Sequence, residues 1–127
     1  MKKILIVDDQ PTIRRLVEIS LQTVDRLILE AESGEDAIEV ARAETPDLII
    51  MDLMMPGGMD GFQAIERIKE NPQTSDCPVL VLTAKDQRLE RLRAFEVGAN
   101  DYLAKPFKLD VLLKKVETLL DGHHELA

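Results

Sequence analysis

Five polar side chains in this sequence have types suited to handling a divalent cation and a phosphoryl group. Asp8 and Asp9 follow one apolar run, Asp52 a second, Thr83 a third and Lys105 a fourth, and each run has the length of a β-strand. Carboxylates hold hard cations, while a hydroxyl and an ammonium suit phosphoryl oxygens. If the fold brings these side chains together, they can support phosphoryl transfer to a carboxylate.

Three neighbouring carboxylates need positive charge close to them. Two unit charges 4 Å apart repel by about 4 kcal/mol at an effective dielectric constant of 20. Lys105 supplies one positive charge, and a bound cation would supply the rest. Because the candidate ligands are carboxylates without histidine or cysteine, they disfavour zinc and favour Mg²⁺, with Mn²⁺ as the alternative.

Asp52 is the best candidate for the nucleophile. It stands singly after its strand, whereas the adjacent Asp8 and Asp9 suit the binding of a cation. A lone aspartate or lysine after a strand is usually a solvated loop residue. The joint placement of the five residues therefore favours a phosphoryl-transfer site over five unrelated loop residues. Thr83 has a second interpretation as a helix N-cap, although Asp86 lies closer to the expected helix start.

The elements that must position these residues alternate between strand-like and helix-like patterns, which predicts an α/β fold with a doubly wound, five-stranded parallel sheet, five helices and three layers. The second strand ends without a comparable side chain and is therefore expected at an edge, in the order 2-1-3-4-5. The predicted strands are Ile4–Val7, Leu27–Ala31, Leu48–Met51, Val79–Leu82 and Tyr102–Ala104.

The helix-like segments carry apolar stripes, which we interpret as core packing. Pro11 suits the first turn of the first helix, Ser33 the N-cap of the second and Gly98 the C-terminus of the fourth. The third is expected from about Phe62 to Asn71. The stripes contain Ile13, Leu16, Val17, Leu21 and Val24 in the first helix, Ala37, Ile38 and Ala41 in the second, Ile65 and Ile68 in the third, Leu89, Leu92 and Phe95 in the fourth, and Leu109, Leu112, Leu113, Val116, Leu119 and Leu120 in the fifth.

Length and composition predict one domain over residues 1–121 and a C-terminal tail over residues 122–127. The chain has 127 residues, of which 45% are hydrophobic and 31% charged, as in ordinary globular domains. The single cysteine, Cys77, excludes an internal disulfide and is expected in the core. His123 and His124 fall in the tail and are expected to be neither metal ligands nor phosphoacceptors.

Charge and hydropathy exclude several classes of protein. The longest apolar runs are strand-sized, too short to span a membrane, and the start lacks a secretory pattern, so we expect a cytoplasmic protein without membrane contact. The net charge of −8 disfavours direct nucleic-acid binding. Residues 1–80 hold 8 Lys/Arg and 16 Asp/Glu, while residues 81–127 hold 8 of each, so the acidic chemistry and a partner surface are expected to lie apart.

Four segments, in one unbroken order, resemble the signature motifs of response-regulator receiver domains in two-component signalling, and the resemblance covers residues 2–121. It implies a flavodoxin-like fold. It also implies phosphorelay from a histidine kinase or a histidine phosphotransfer protein, without multiple turnover of an external substrate. The segments are Ile4-Leu5-Ile6-Val7-Asp8-Asp9, Met51-Asp52-Leu53-Met54-Met55-Pro56, Leu82-Thr83-Ala84 and Lys105-Pro106-Phe107.

The resemblance also implies a role for each site residue. Mg²⁺ is expected to be bound directly by Asp9, Asp52 and the Met54 backbone carbonyl, and through a water by Asp8. Asp52 accepts the phosphoryl group, whose oxygens Thr83 and Lys105 contact. Thr83 and Tyr102 form the switch, the bond before Pro106 is cis, and the fourth helix, fifth strand and fifth helix form the output face for a downstream effector.

Two features leave the output and the active-site loop open. Gly57-Gly58 contains one residue more than the commoner receiver pattern, which predicts a different loop path with the Met54 ligand retained. Lys85, Arg88 and Arg91 recur every three residues and are either a solvated stripe or a partner contact.

Three other functions compete with a phosphorylated receiver. A flavin or nucleotide protein would need a glycine- or hydroxyl-rich phosphate loop where Asp8 and Asp9 stand. A Mg²⁺-dependent aspartyl phosphatase shares the chemistry, but that class places its nucleophile after the first strand and adds a cap domain. A receiver-like module that binds partners without phosphorylation would not need the intact acidic, threonine and lysine positions.

Overall fold

The computed structural model describes residues 1–84 and 88–122, and these residues form a five-stranded sheet with helices on both faces. The elements are β1 (Lys2–Val7), α1 (Pro11–Leu21), β2 (Arg26–Ala31), α2 (Gly34–Glu44), β3 (Leu48–Met51), α3 (Gly61–Glu70), β4 (Val79–Thr83), α4 (Arg88–Glu96), β5 (Asp101–Ala104) and α5 (Leu109–Leu120). The predicted fold class is therefore confirmed, and every strand bound lies within two residues of the one expected.

The sheet is parallel throughout and has the order β2-β1-β3-β4-β5, which confirms the predicted order. The register pairs Val7 with Met51, Met51 with Val81, and Val81 with Tyr102. Strands β1 and β3 therefore end level with each other, and β4 and β5 extend two residues further. Parallel strands aligned in this way bring the residues that follow them to one edge of the sheet.

The core has two parts because alternate residues of each strand point to opposite faces. Leu5 and Val7 belong to a cluster with α2 and α3, while Ile4 and Ile6 belong to a cluster with α1 and α5. Cys77 is buried in the first cluster, as expected, and burial raises the pKa of its thiol to about 12. Cys77 is therefore an unreactive core residue at neutral pH.

The helix ends follow local rules that the sequence carries. Pro11 occupies the first turn of α1, and the Ser33 side chain accepts a hydrogen bond from the Asp36 N–H. Gly98 follows α4 with φ +118°, a conformation that glycine tolerates best. These three expectations are confirmed. The start of α3 was missed by one residue, because Asp60 and Gln63 form a reciprocal capping box that begins the helix at Gly61.

Part of the expected core is exposed. Val24 follows the end of α1 and is almost fully exposed, and Leu16 is half-exposed. On α4, the stripe formed by Leu89, Leu92 and Phe95 faces outward: Leu89 is 75% exposed, and α4 buries only Ala94 among its described residues. The core assignment of this stripe was wrong because periodicity shows that a helix has an apolar face, but not what that face meets.

The exposure of α4 predicts a large difference between two leucine-to-alanine substitutions. Leu112 is fully buried in α5, whereas Leu89 lies on the outward face of α4. We expect Leu112→Ala to lower the free energy of unfolding by about 2–5 kcal/mol, and Leu89→Ala to change it by less than about 0.5 kcal/mol. Urea unfolding of both variants measures the difference, and equal losses would contradict the exposed position of Leu89.

Several sequence features lie outside the described residues. These are Lys85, Asp86, His123 and His124, so the N-cap assigned to Asp86 and the tail remain predictions. Across residues 1–84 and 88–122, no helix has the length and apolar character needed to cross a membrane.

Candidate phosphoacceptor and metal site

The carboxyl ends of the parallel strands bring together the five side chains singled out above. Asp8 and Asp9 follow β1, Asp52 follows β3, Thr83 is the last residue of β4 and Lys105 follows β5. Carboxylate oxygens of the three aspartates lie within 4.8 Å of one another. Asp8, Asp52 and Thr83 are buried, and Asp52 is only 5% exposed. A solvated-loop interpretation of these residues is therefore untenable.

The Lys105 ammonium lies between two of the carboxylates. Its Nζ is 2.7 Å from Asp8 Oδ2 and 3.5 Å from Asp52 Oδ2. The backbone N–H of Lys105 donates to the Thr83 carbonyl at 2.9 Å, which continues the β4–β5 pairing to the site. The Lys105–Pro106 peptide bond is cis. With all three aspartates ionised, the single lysine leaves the cluster with two net negative charges.

The two neighbouring aspartates after β1 differ in their surroundings. Asp8 Oδ2 accepts from Lys105, and Asp8 Oδ1 accepts from the Gln10 N–H at 2.9 Å. The Asp9 carboxylate is half-buried and makes no hydrogen bond or ion pair within the part of the chain that the structure describes. Asp9 is therefore the carboxylate most available to a ligand.

Asp52 has an environment that opposes its ionisation. Burial is the main reason that its pKa is raised above the ordinary aspartate value, and the nearby Asp8 carboxylate adds to the rise. The Met54 N–H, which donates to Asp52 Oδ1 at 3.1 Å, opposes the rise most, followed by the Lys105 ammonium and a hydrogen bond from Thr83. A bound cation would relieve this cost by favouring the ionised carboxylate.

Gly61 permits the close approach of α3 to Asp52 and Leu53, which follow strand β3. A Cβ at this position would lie 2.4 Å from the Asp52 carbonyl oxygen and 2.6 Å from Leu53 Cα. The Gly61 N–H also donates to the Leu53 carbonyl at 3.1 Å. Our sequence reasoning missed this role, and the only available signal was a glycine directly after the Asp60 cap.

The loop with the additional glycine rests on the first turn of α2. Gly57 and Gly58 have φ values of +85° and +156°, so both use backbone conformations that favour glycine. Glu35 Oε2 would lie 2.8 Å from a Cβ at Gly58 and accepts a hydrogen bond from the Met59 N–H at 3.4 Å. The loop thus contacts α2 through Glu35, and the Met54 N–H donates to Asp52.

Tyr102 lies in the core rather than on the surface. It is buried in the same cluster as Val81, and the Arg91 guanidinium carbon is 5.6 Å from its ring centroid. This distance is within the range of a cation–π interaction. Arg88 and Arg91 are both exposed, and Arg91 contacts the predicted switch residue.

The donor set fits the cation predicted from the sequence. Three clustered carboxylates supply hard oxygen ligands, and two net negative charges match a divalent ion such as Mg²⁺. The described part of the cluster contains no histidine or cysteine, which again disfavours zinc.

Comparison with known proteins identifies relatives along almost the whole chain. Residues 4–117 match the response regulator receiver domain. PilH of Pseudomonas aeruginosa is 40% identical over 122 residues, which cover 96% of this chain and 100% of PilH. The transcriptional regulatory protein ResD of Bacillus subtilis is 42% identical over 118 residues, covering 93% of this chain but 48% of ResD. The chain therefore spans all of one relative and about half of the other.

Solved structures agree with this result. A putative response regulator from Chloroflexus aurantiacus superposes with a TM-score of 0.88 at 37% identity, over 94% of this chain and 98% of that one. The chemotaxis protein CheY4 of Vibrio cholerae superposes with a TM-score of 0.86 at 33% identity, over the same shares of both chains. The resemblance stated from the four motifs is confirmed.

Proposed function

This chain belongs to the response regulator receiver domain family, and on that premise we propose that Asp52 accepts a phosphoryl group in a Mg²⁺-dependent reaction of two-component signalling. The observation that carries the proposal is the joint geometry of the side chains at the carboxyl ends of the strands. Three carboxylates lie within 4.8 Å of one another, and the Lys105 ammonium contacts Asp8 and Asp52. This arrangement provides a nucleophile, a cation site and a positive group for phosphoryl oxygens.

In the proposed reaction, an Asp52 carboxylate oxygen attacks the phosphorus of a phosphohistidine on a histidine kinase or phosphotransfer protein. A P–O bond forms on Asp52, the P–N bond breaks, and its electron pair stays with the departing imidazole. Small acyl phosphates can replace the phosphohistidine donor. Mg²⁺, or Mn²⁺ in its place, neutralises negative charge on the phosphoryl oxygens when bound.

The chain's own residues divide the remaining work. Asp9, Asp52 and the Met54 carbonyl would hold the cation directly, and Asp8 would act through a water. This division is supported by the occupied oxygens of Asp8 and the available carboxylate of Asp9. Lys105 is already beside Asp52, and its ammonium would contact the phosphoryl oxygens once Asp52 is phosphorylated.

The same proposal includes a switch between Thr83 and Tyr102. Thr83 is fully buried and hydrogen-bonds to Asp52, so its hydroxyl would turn to a phosphoryl oxygen. Moving a two-state equilibrium from 1:99 to 99:1 takes about 5.5 kcal/mol. Charge-assisted contacts to the phosphoryl group are suitable sources of this energy.

The α4-β5-α5 surface would then bind a downstream effector. Its support is the outward apolar stripe of α4, where Leu92 and Phe95 are both nearly half exposed beside Leu89. The contact between Arg91 and Tyr102 connects this surface to the switch. The proposal assigns no direct nucleic-acid contact and no membrane contact to this domain.

The receiver would catalyse only its own phosphorylation and dephosphorylation. It would act either alone or as the N-terminal receiver of a longer regulator, as the two lengths of its relatives illustrate. We also propose a cytoplasmic location, which agrees with the free Cys77 thiol. An aspartyl phosphatase and a phosphorylation-independent binding module are the alternatives.

Labelling with acetyl phosphate tests the proposal. We expect one phosphoryl group per chain in the presence of Mg²⁺ and none in excess chelator, as measured by intact-protein mass and located by peptide mapping at Asp52. Label on another residue, or label that is independent of the metal, would contradict the assignment. Hydrolysis of many equivalents of a phosphate ester would favour the phosphatase, and an unlabelled protein that still binds partners would favour the binding module.

A further inference from the structure

Arg14 in α1 reaches across to the loop that carries Asp8 and Asp9. Its Nη1 donates to the Asp8 carbonyl oxygen at 2.7 Å, and its Nε lies 3.2 Å from Glu30 Oε1. We propose that Arg14 is a positioning residue that orients the Asp8–Asp9 peptide so that the Asp9 carboxylate can bind Mg²⁺. The inference rests on the proposed function of the site.

The planarity of the peptide bond gives this contact its effect. The carbonyl of Asp8 and the N–H and Cα of Asp9 belong to one rigid plane. A hydrogen bond that holds the Asp8 oxygen therefore also holds the Asp9 backbone from which the carboxylate extends. The Asp9 carboxylate has no hydrogen bond within the described residues. Its direction therefore depends on the backbone that precedes it.

The rest of Asp8, outside this peptide, is already held in place. The Asp8 N–H donates to the Ala31 carbonyl at 3.2 Å, and the Asp8 side chain accepts from Gln10 and Lys105. The Asp8 carbonyl is thus the remaining polar group of that residue, and Arg14 binds it.

The guanidinium is itself held by the second strand. Glu30 lies near the end of β2, the strand that contributes no side chain to the cluster. Its carboxylate is 43% exposed, so the ion pair alone is worth little. An arginine, however, donates to two acceptors in a fixed fork geometry. The Glu30 contact therefore fixes the orientation of the guanidinium, and β2 acts on the site indirectly.

Positioning and simple electrostatics predict opposite effects when Arg14 is removed. Loss of a positive charge beside three carboxylates should favour binding of a cation. Loss of a positioning contact should weaken it, because the ligand is no longer held in place. Arg15 offers a matched control, since it is the next residue in α1, is exposed and makes no ion pair within the described residues.

Calorimetric titration with MgCl₂ alone, without phosphodonor, compares Arg14→Met with Arg15→Met. We expect the Mg²⁺ dissociation constant of Arg14→Met to exceed that of Arg15→Met by about tenfold, the low end of the usual effect for residues that orient metal ligands. An Arg14→Met protein that binds Mg²⁺ as tightly as Arg15→Met, or more tightly, would overturn the inference.

Phosphorylation supplies a readout that a purely structural role would not give. We expect Arg14→Met to need more Mg²⁺ for half-maximal labelling by acetyl phosphate but to reach the wild-type rate at saturation. A lower plateau with an unchanged half-maximal concentration would contradict positioning. If Arg14→Met does not fold, Arg14→Lys takes its place, with a several-fold rise expected and a wild-type constant contradicting the inference. Wild type that binds no Mg²⁺ would refute the proposed function itself.

Discussion

We expect the Asp52→Asn protein to take up no phosphoryl group from acetyl phosphate at any Mg²⁺ concentration, whereas the wild type should become labelled. An amide has no anionic oxygen to attack phosphorus, and no other aspartate of the cluster has the same position between Lys105 and Thr83. Asp52→Asn should also be more stable than the wild type in the absence of Mg²⁺. The burial that raises the pKa of Asp52 penalises its ionised form, and asparagine removes that penalty. We expect a higher free energy of unfolding for Asp52→Asn, measured by urea unfolding in chelator.

The direction of the pH dependence follows from the raised pKa. Below the ordinary aspartate pKa, the Asp52 carboxyl is neutral in both folded and unfolded chains and costs nothing. As pH rises from there through the raised folded pKa, ionisation of the buried group destabilises the wild type. The advantage of Asp52→Asn should therefore grow over this range and stay constant above it. Asp76→Asn, an exposed aspartate at the opposite edge of the sheet, serves as the control. A gain of the same size in Asp76→Asn, or labelled Asp52→Asn, would contradict the assignment.

Gly61→Ala should cause the largest loss of stability among the glycine substitutions near the site. The added Cβ would meet the backbone of Asp52 and Leu53 at 2.4 Å and 2.6 Å, so strand β3 or helix α3 must move. Backbone cannot yield in the way that the end of a flexible side chain can. We therefore expect the free energy of unfolding to fall by more than about 2 kcal/mol, within the range for overpacked sites. Because the displaced backbone includes that of Asp52, the proposed phosphoacceptor, labelling should also slow.

Gly57→Ala separates steric conflict from backbone strain. Gly57 lies in the loop before α3, and a Cβ there would meet nothing within 4 Å, so the only cost of the substitution is the positive φ of +85°. We expect a loss of about 1–2 kcal/mol for this variant, the usual cost of a left-handed alanine. Urea unfolding of both proteins, with the labelling rate as a second measurement, gives the comparison. A smaller loss for Gly61→Ala than for Gly57→Ala would show that α3 is not held against Asp52 as described.

Local patterns in the sequence were sufficient for the architecture and for the members of the site. Apolar runs of strand length, separated by amphipathic segments, predicted five strands of a doubly wound sheet. The order 2-1-3-4-5 is a common one for such sheets, and the lack of a candidate side chain after the second strand supported it. Once the order was known, topology alone placed Asp8, Asp52 and Lys105 at one edge, since the carboxyl ends of parallel strands meet there. Caps such as Ser33 were also readable, because a cap acts within three residues of itself.

Contacts between one element and another were decided only by the tertiary structure. The outward position of Leu89 depends on how α4 lies against the sheet, which no period within α4 reports. The roles of Gly61 and Arg14 depend on which backbone atoms lie opposite them, 9 residues away in the case of Asp52 and 6 in the case of Asp8. Composition and periodicity describe one element at a time, whereas steric fit and hydrogen-bond direction are set by the relative placement of two. The sequence by itself therefore determined which residues meet at this edge, and the packing of the elements decided how closely they meet and what holds them there.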